Sequence, residues 1–333
     1  MTKFFFTLFR SSFALILFLL LSSFSAAEQL PDLFPYNAYD GYNPSVRSLA
    51  MGGAGLCSTR DASAVYFNPA GLFGGDNMSL ISLKVRQTPK ELSGQYDILS
   101  GRSLTFLGFR GGGMAIAWQP LSNMISIGTA GSSVEVKVNK FTMSFSNNVS
   151  GAVNFGMNIN YFSGYMGVTD GAAAKISDAN GYGIDWGLTY RAHPNITFAT
   201  SLFNSPSSIS WGGYDADKPP VIARTGARVK LSHLLTVSAE SENRKYSRAR
   251  EADGKKTVKI FHAGLEQSLA DIIYLRGGIF GEDLSDNNKT GYSAGIGWYQ
   301  DKVNVDISWQ KEYPLLSYDE YLETFSFSVN SPF

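Results

Sequence analysis

Thr324-Phe325-Ser326-Phe327-Ser328-Val329-Asn330-Ser331-Pro332-Phe333 ends the chain. Successive side chains of an extended backbone point to opposite faces, so Phe325, Phe327 and Val329 share one side and Thr324, Ser326 and Ser328 the other. A strand with one apolar face, one face of small hydroxyls and a terminal Phe is the last strand expected of a bacterial outer-membrane barrel.

Working backward, period-two segments recur as far as Met78. They are read as strands over roughly 78–86, 102–109, 113–119, 133–146, 151–162, 181–191, 195–203, 221–231, 234–244, 257–267, 272–280, 291–300, 303–311 and 321–331. That makes about 14, most near the roughly 9–11 residues a tilted membrane strand needs. Tyr182, Ile184, Trp186, Leu188 and Tyr190 alternate with Gly183, Asp185, Gly187 and Thr189. Val153, Phe155, Met157, Ile159 and Tyr161 alternate with Ala152, Asn154, Gly156, Asn158 and Asn160. A soluble β-sandwich alternates too, but it does not place Trp and Tyr near both ends of its apolar faces as interface belts do.

The connections carry more. Short ones (110–112, 147–150, 192–195, 232–233, 269–270 and the turn at Asp301) alternate with long ones (87–101, 120–132, 163–180, 204–220, 245–256, 281–290 and 312–320). Short periplasmic turns and longer outside loops are the rule for such barrels, and an even strand count puts both ends of the barrel at the periplasm. Two strands look imperfect. Val134, Val136 and Val138 are one register off Phe141, Met143 and Phe145, which predicts a bulge near Asn139-Lys140. The strand 113–119 lies between Gly111-Gly112-Gly113 and Pro120, which predicts weak pairing there.

The front of the chain fits export. Lys3, Arg10, the apolar run Phe13–Leu21 and the small residues Ser25 and Ala27 read as a signal peptide over 1–27. The run is too short for a comfortable membrane anchor. The chain has 28 basic and 28 acidic residues. Without the leader there are 26 against 28, a net charge of −2, so no basic excess points to nucleic acid. Cys57 is the single cysteine, excluding an internal disulfide, and reads as a small buried residue. Inward faces carry charge: Arg224, Arg228 and Lys230 on one strand, Glu240 and Glu242 on the next, then His262, Glu266 and Arg276. A salt-bridged lumen wall accounts for them more simply than a translocation path, because lumen faces are polar by default.

Residues 28–77 do not alternate. A barrel of about 14 strands is too wide for its own side chains to fill, so this segment is expected to plug it. It holds Ser45-Val46-Arg47-Ser48-Leu49-Ala50-Met51-Gly52-Gly53-Ala54-Gly55, a helical turn and then glycines. Asp61-Ala62-Ser63-Ala64-Val65-Tyr66-Phe67-Asn68-Pro69-Ala70-Gly71-Leu72 follows. Asp61 suits a helix N-cap, and Asn68, placed before Pro69, should leave the helical region.

These motifs resemble the N-terminal hatch of the FadL/TodX superfamily of outer-membrane channels for long-chain fatty acids and other hydrophobic compounds. The compact chain is most similar to the FadL-like proteins of spirochaetes, with the PorV proteins of type IX secretion as second relatives. The Asn-Pro-Ala hatch signature falls on Asn68, Pro69 and Ala70, with Gly71 beside it. The resemblance implies an all-β transmembrane antiparallel barrel over 78–333, a hatch over 28–77, and a multi-pass location in the outer membrane. It implies a fatty acid or other hydrophobic ligand, contact with outer-membrane lipid, and a ligand pocket near Phe67 and Leu72. A lateral exit is expected near Gly111, Gly112, Gly113 and Pro120. The alternative is a PorV-like scaffold that binds a protein partner through its outside loops.

Enzyme readings find little. His193 and His233 fall in short turns, and His262 has no Ser and acid at triad-like spacing. Gly52-Gly53-Ala54-Gly55 lacks the Gly-Lys-Ser/Thr of a phosphate loop. Glu282, Asp283, Asp286, Asn287 and Asn288 do not have EF-hand spacing and read as a solvated loop. No cofactor or metal motif is present.

Overall fold

The computed structural model describes residues 28–75, 77–87, 104–128, 132–170, 173–249, 254–286, 289–300, 303–312 and 322–332. The expected leader 1–27, most of the expected loops 87–101 and 312–320, the Asp301 turn, Asn287, Asn288 and Phe333 lie outside them.

Among the described residues, sixteen strands form one antiparallel sheet. They are β1 (Met78–Gln87), β2 (Leu104–Gly111), β3 (Met114–Ile127), β4 (Ser133–Ser150), β5 (Val153–Asp170), β6 (Ala173–His193), β7 (Ile196–Phe203), β8 (Ser207–Trp211), β9 (Tyr214–Asp217), β10 (Val221–Lys230), β11 (Leu235–Lys245), β12 (Thr257–Leu269), β13 (Ile273–Gly281), β14 (Thr290–Gln300), β15 (Val303–Glu312) and β16 (Leu322–Pro332). Fourteen of them close into a barrel, through β1 against β16 and β5 against β6. The other two, β8 and β9, form a hairpin that pairs with the upper half of β6. Met78 pairs with Pro332, so the barrel begins and ends at the rim that carries the short turns.

The alternation read from the sequence sorts the faces as expected over most of the barrel. Phe155, Ile159, Tyr161, Tyr182, Ile307, Phe325 and Phe327 are exposed on the outer face, and Asn158, Asn160, Asp185, Asp306, Ser326 and Ser328 are buried inside. So broad an apolar outer surface is foreign to a water-soluble monomer and fits lipid.

Three expectations need correction. First, the stretches 120–132 and 163–180 are mostly strand: β3 runs to Ile127, β5 to Asp170, and β6 starts at Ala173. Second, 204–220 is no plain loop, because β8 and β9 lie in it. Third, β4 has no bulge near Asn139-Lys140. It pairs residue for residue with β5 from Ser133 to Asn148. Val134, Val136, Val138, Lys140, Thr142 and Ser144 all face inward. What changes at Asn139-Lys140 is the environment: above it the inner face is apolar and the outer face carries Glu135 and Lys137, and below it Phe141, Met143 and Phe145 face out. The irregularity at this level is in β3, where the register shifts between Pro120 and Ser122.

Inside the wall, much of the charge is paired. The Arg276 side chain is fully buried and donates to Glu266 at 2.7 Å, Asp306 at 2.6 Å and the Tyr299 hydroxyl at 3.0 Å. Arg224 sits 2.6 Å from Glu242. Deleting one partner of such a network strands the others without water. Arg276→Met should therefore cost roughly 3–5 kcal/mol of barrel stability. Lys289→Met, on an exposed loop, should stay within about 0.5 kcal/mol. Urea unfolding of the refolded barrel measures both, and equal losses contradict the account.

Candidate functional site

Residues 28–75 run through the barrel from one rim to the other. At the long-loop rim Glu28 bridges to Tyr214 of β9 and lies 2.8 Å from Lys175. Leu30, Phe34, Ala38 and Tyr39 then pack with Val134, Val136, Val138, Phe162, Met166, Ile209 and Trp211 in one apolar cluster. Ile209 and Trp211 belong to the β8–β9 hairpin, which closes this cluster on the β6 side. Tyr39 donates to Asp217 at 3.2 Å and accepts from the Trp211 indole at 3.2 Å.

Midway down, the helical turn Val46–Leu49 is capped by Ser45, whose hydroxyl accepts from Ser48 N at 3.2 Å. Arg47 grips Glu266 with two hydrogen bonds, 2.8 and 2.7 Å. Gly52 and Gly53 follow with φ of +67° and +86°, a conformation that favours glycine. Gly52 donates to the Ser293 hydroxyl at 2.8 Å, and its carbonyl lies 2.7 Å from His262 Nδ1. Leu56 N donates to Glu240 at 2.6 Å.

Nearer the short-turn rim comes the helical turn Ala64–Phe67. Its N-cap is Ser63, not Asp61; Asp61 accepts from Ser63 N at 2.8 Å as an Asx turn one step earlier. Asn68 leaves the helix as expected, with φ −164° and ψ 105°, and Pro69 opens the 3₁₀ turn Pro69–Leu72. The Asn68 side chain is used at both ends. Its oxygen accepts from Ala70 N at 3.0 Å, and its nitrogen donates to Leu188 O at 3.1 Å and Thr189 Oγ1 at 3.0 Å, both on β6.

Two wall glycines make this seat. A Cβ on Gly187 would meet Asn68 Oδ1 at 2.1 Å, and one on Gly156 would meet Ala70 N at 2.3 Å. Only bare backbone at 156 and 187 lets Asn68-Pro69-Ala70 lie against β5 and β6. Sequence reading placed both glycines on inward faces and gave them no role, because without coordinates nothing marks a small wall residue as the seat of a turn distant in the chain.

Phe67 and Leu72 are fully buried packing residues. The Phe67 ring is 5.0 Å from that of Tyr66 and lies beneath the Arg224 guanidinium, while Leu72 packs with Ala62, Val65, Leu80 and Phe106. Gly112 and Gly113, with φ of +58° and +81°, form the tight turn after Gly111 that joins β2 to β3. The β2–β3 seam has five residue pairs, Leu107↔Trp118 to Gly111↔Met114, the fewest of any barrel seam among the described residues. Among the described residues, β3 beyond Pro120 is paired only with β4. On the outer face of this seam lies an apolar groove of about 480 Å³ lined by Leu107, Phe109, Ile116, Trp118, Phe141 and Met143. Among the described residues no group of His, Cys, Asp and Glu is arranged to hold a metal ion.

Cys57 reports on the seat. Burial, with Glu240 nearby, pushes its thiol up to about 12. At pH 8 this leaves roughly a thousandfold less thiolate than a free cysteine has. Maleimide labelling of the intact protein is expected to be slow. In Gly187→Val, where Asn68 loses its place, labelling should rise at least tenfold toward that of a free thiol. A rate unchanged in a folded Gly187→Val barrel contradicts the seat.

Solved structures share this architecture. The toluene transporter TbuX of Ralstonia pickettii matches with a TM-score of 0.61 at 14% identity, over 89% of this chain and 99% of that one. The monoaromatic hydrocarbon channel CymD matches at 0.62 and 14%, over 89% and 98%. A FadL homologue of Pseudomonas aeruginosa matches at 0.58 and 12%, over 92% and 100%. No protein-family model and no curated protein matches the sequence. At these identities the likeness is one of fold. In architecture the chain is a 14-strand barrel of the FadL/TodX type.

Proposed function

We propose that the chain is an outer-membrane channel for passive uptake of hydrophobic small molecules, with residues 1–27 as its export signal and 28–77 as its hatch. One observation carries this reading. Lumen walls are polar by default, yet the long-loop half of this one presents Val134, Val136, Val138, Phe162, Met166, Ile209 and Trp211 inward. Leu30, Phe34, Ala38 and Tyr39 cover that wall in this conformation. An apolar ligand entering between the outside loops takes their place. Ligands of the matched channels' kind, monoaromatic hydrocarbons, fit this wall, and so does the tail of a long-chain fatty acid.

Displacement has thermodynamic content only if the ligand binds the uncovered wall better than the covered one; equal affinity shifts nothing. Asn68-Pro69-Ala70 is the latch at the far end. Two of the Asn68 side-chain hydrogen bonds hold the segment to β6 and a third holds its own turn, and their loss frees the lower lumen. For a neutral hydrocarbon, the short β2–β3 seam and the outer groove beside it support a lateral release into lipid near Gly111, Gly112, Gly113 and Pro120. The second reading, a PorV-like scaffold engaging a protein partner through its loops, is favoured by the lower lumen. That half is polar and ion-paired, and Phe67 and Leu72 are packed.

Uptake separates the two. Proteoliposomes and cells should take up radiolabelled toluene and oleate faster with the protein than without. Asn68→Ala should change the rate at least threefold while the barrel still resists heat in gel electrophoresis. Identical uptake by the wild type, Asn68→Ala, Pro69→Ala and protein-free controls leaves the scaffold reading standing.

A further inference from the structure

At the short-turn rim of the lumen, cations gather without carboxylate partners among the described residues. There Arg60 of the N-terminal segment, Arg191 and His193 of β6, and Arg228 and Lys230 of β10 line one cavity of about 360 Å³. Arg60, Arg191, His193 and Lys230 are exposed around its edge, and Arg228 is buried at 8% exposure on its floor. Arg228 also lines the two neighbouring cavities. One of them, about 160 Å³, reaches Ala70 and Gly71 at the base of the latch.

No carboxylate pairs with Arg60, Arg191, Arg228 or Lys230 among the described residues. Glu266 faces Arg228 across a third void and is already held by Arg47 and Arg276, each at 2.7 Å. Asp271, in the same void, accepts from Ser268 at 3.2 Å. Arg228 itself donates only to the Thr197 hydroxyl, at 3.4 Å, and its buried Nε has no partner. A guanidinium kept nine-tenths buried with an unmet donor is costly unless an anion completes it. Other buried arginines of this lumen show the alternative: Arg224 and Arg276 both have their carboxylates.

We propose that this cavity is an oxyanion site that takes the carboxylate head of an amphipathic substrate as it leaves the lumen, with Arg228 as the fork on the floor and Arg60, Arg191 and Lys230 as the rim. Guanidinium binds carboxylate through two parallel N–H donors, which suits a planar head group. The position matches the chemistry. A substrate passing Ala70 and Gly71 arrives tail and head at a void whose open side is cationic, so a charged head is drawn toward water while its tail is still in the lumen. Neutral hydrocarbons have no use for the site. The assignment to a transported substrate rests on the channel reading; the oxyanion site itself does not.

Calorimetric titration of the full-length protein in non-ionic detergent tests this with octanoate, octanol and inorganic phosphate as probes. Octanoate should bind, octanol should not compete for it, and affinity should fall as salt rises. Arg228→Gln should weaken octanoate at least tenfold. Arg60→Gln, on the exposed rim, should weaken it threefold or more and guards against misfolding of the buried variant. Lys289→Gln, at the opposite mouth, should change nothing. Phosphate binding as tightly as octanoate overturns the substrate assignment. Octanoate affinity that ignores salt and both arginine variants overturns the site. Toluene uptake by the wild-type protein reads the channel proposal separately, so either can fail alone.

Discussion

A chain that crosses the inside of a barrel has no neighbouring strand, and each of its buried peptide groups still needs a partner. Here the partners are side chains of the wall. Glu240 accepts from Leu56 N, Ser293 from Gly52 N, while Asn158 donates to Val65 O at 2.7 Å, Arg224 to Tyr66 O at 3.2 Å, Arg110 to Leu72 O and Gln310 to Leu49 O at 3.3 Å. Part of the polar inner face of the barrel is therefore spent on this one segment. The same requirement explains why the segment has almost no secondary structure of its own: two helical turns and a 3₁₀ turn are enough when the wall completes the rest.

This dependence splits the lumen into three zones with different chemistry. The long-loop end is apolar and covered by apolar residues of the segment itself. The middle is a closed ionic network in which Arg47, Glu266, Arg276 and Asp306 are mutually satisfied. The short-turn end holds a cationic cavity whose Arg60, Arg191, Arg228 and Lys230 pair with no carboxylate among the described residues. Apolar contacts are non-directional and exchange readily for a ligand, whereas the middle zone holds its geometry through charge-assisted bonds. The N-terminal end of the segment is held by the mouth contacts of Glu28, by packing and by the Tyr39 hydrogen bonds to Asp217 and Trp211, so a ligand that displaces it must break few charge-assisted bonds.

The barrel was legible because lipid and lumen impose opposite polarity on alternate residues. Ile307, Phe325 and Phe327 against Asp306, Ser326 and Ser328 needed nothing more. That logic failed where the surroundings changed. Above Asn139 the outer face meets water and the inner face meets Leu30 and Phe34, so Val134, Val136 and Val138 read as a slipped register when they are an inverted environment. For the same reason β5 and β6 were cut short. The hairpin β8–β9 escaped because it is five and four residues long around a Gly212-Gly213 turn, within a stretch already explained as a loop. Of the site, Asn68-Pro69-Ala70 stood out by motif, and its bonds to its own turn and to the wall follow from what an Asn can donate and accept. Its seat on Gly156 and Gly187 did not stand out, since a contact between residues 69 and 156 leaves no local trace in sequence. Arg228 was seen as one more lumen charge; only the inventory of partners sets it apart from Arg224.

The central claim is that residues 28–75 alone stand between the barrel and an open pore. Single-channel conductance in planar bilayers tests it most directly, comparing the intact protein with one from which residues 28–75 are deleted. A barrel of 14 strands without its contents is wide enough for an aqueous channel. The account predicts a closed intact protein and a stable, ohmic, water-filled pore for the deleted form. A deleted form that folds, inserts and conducts no more than the intact one contradicts it.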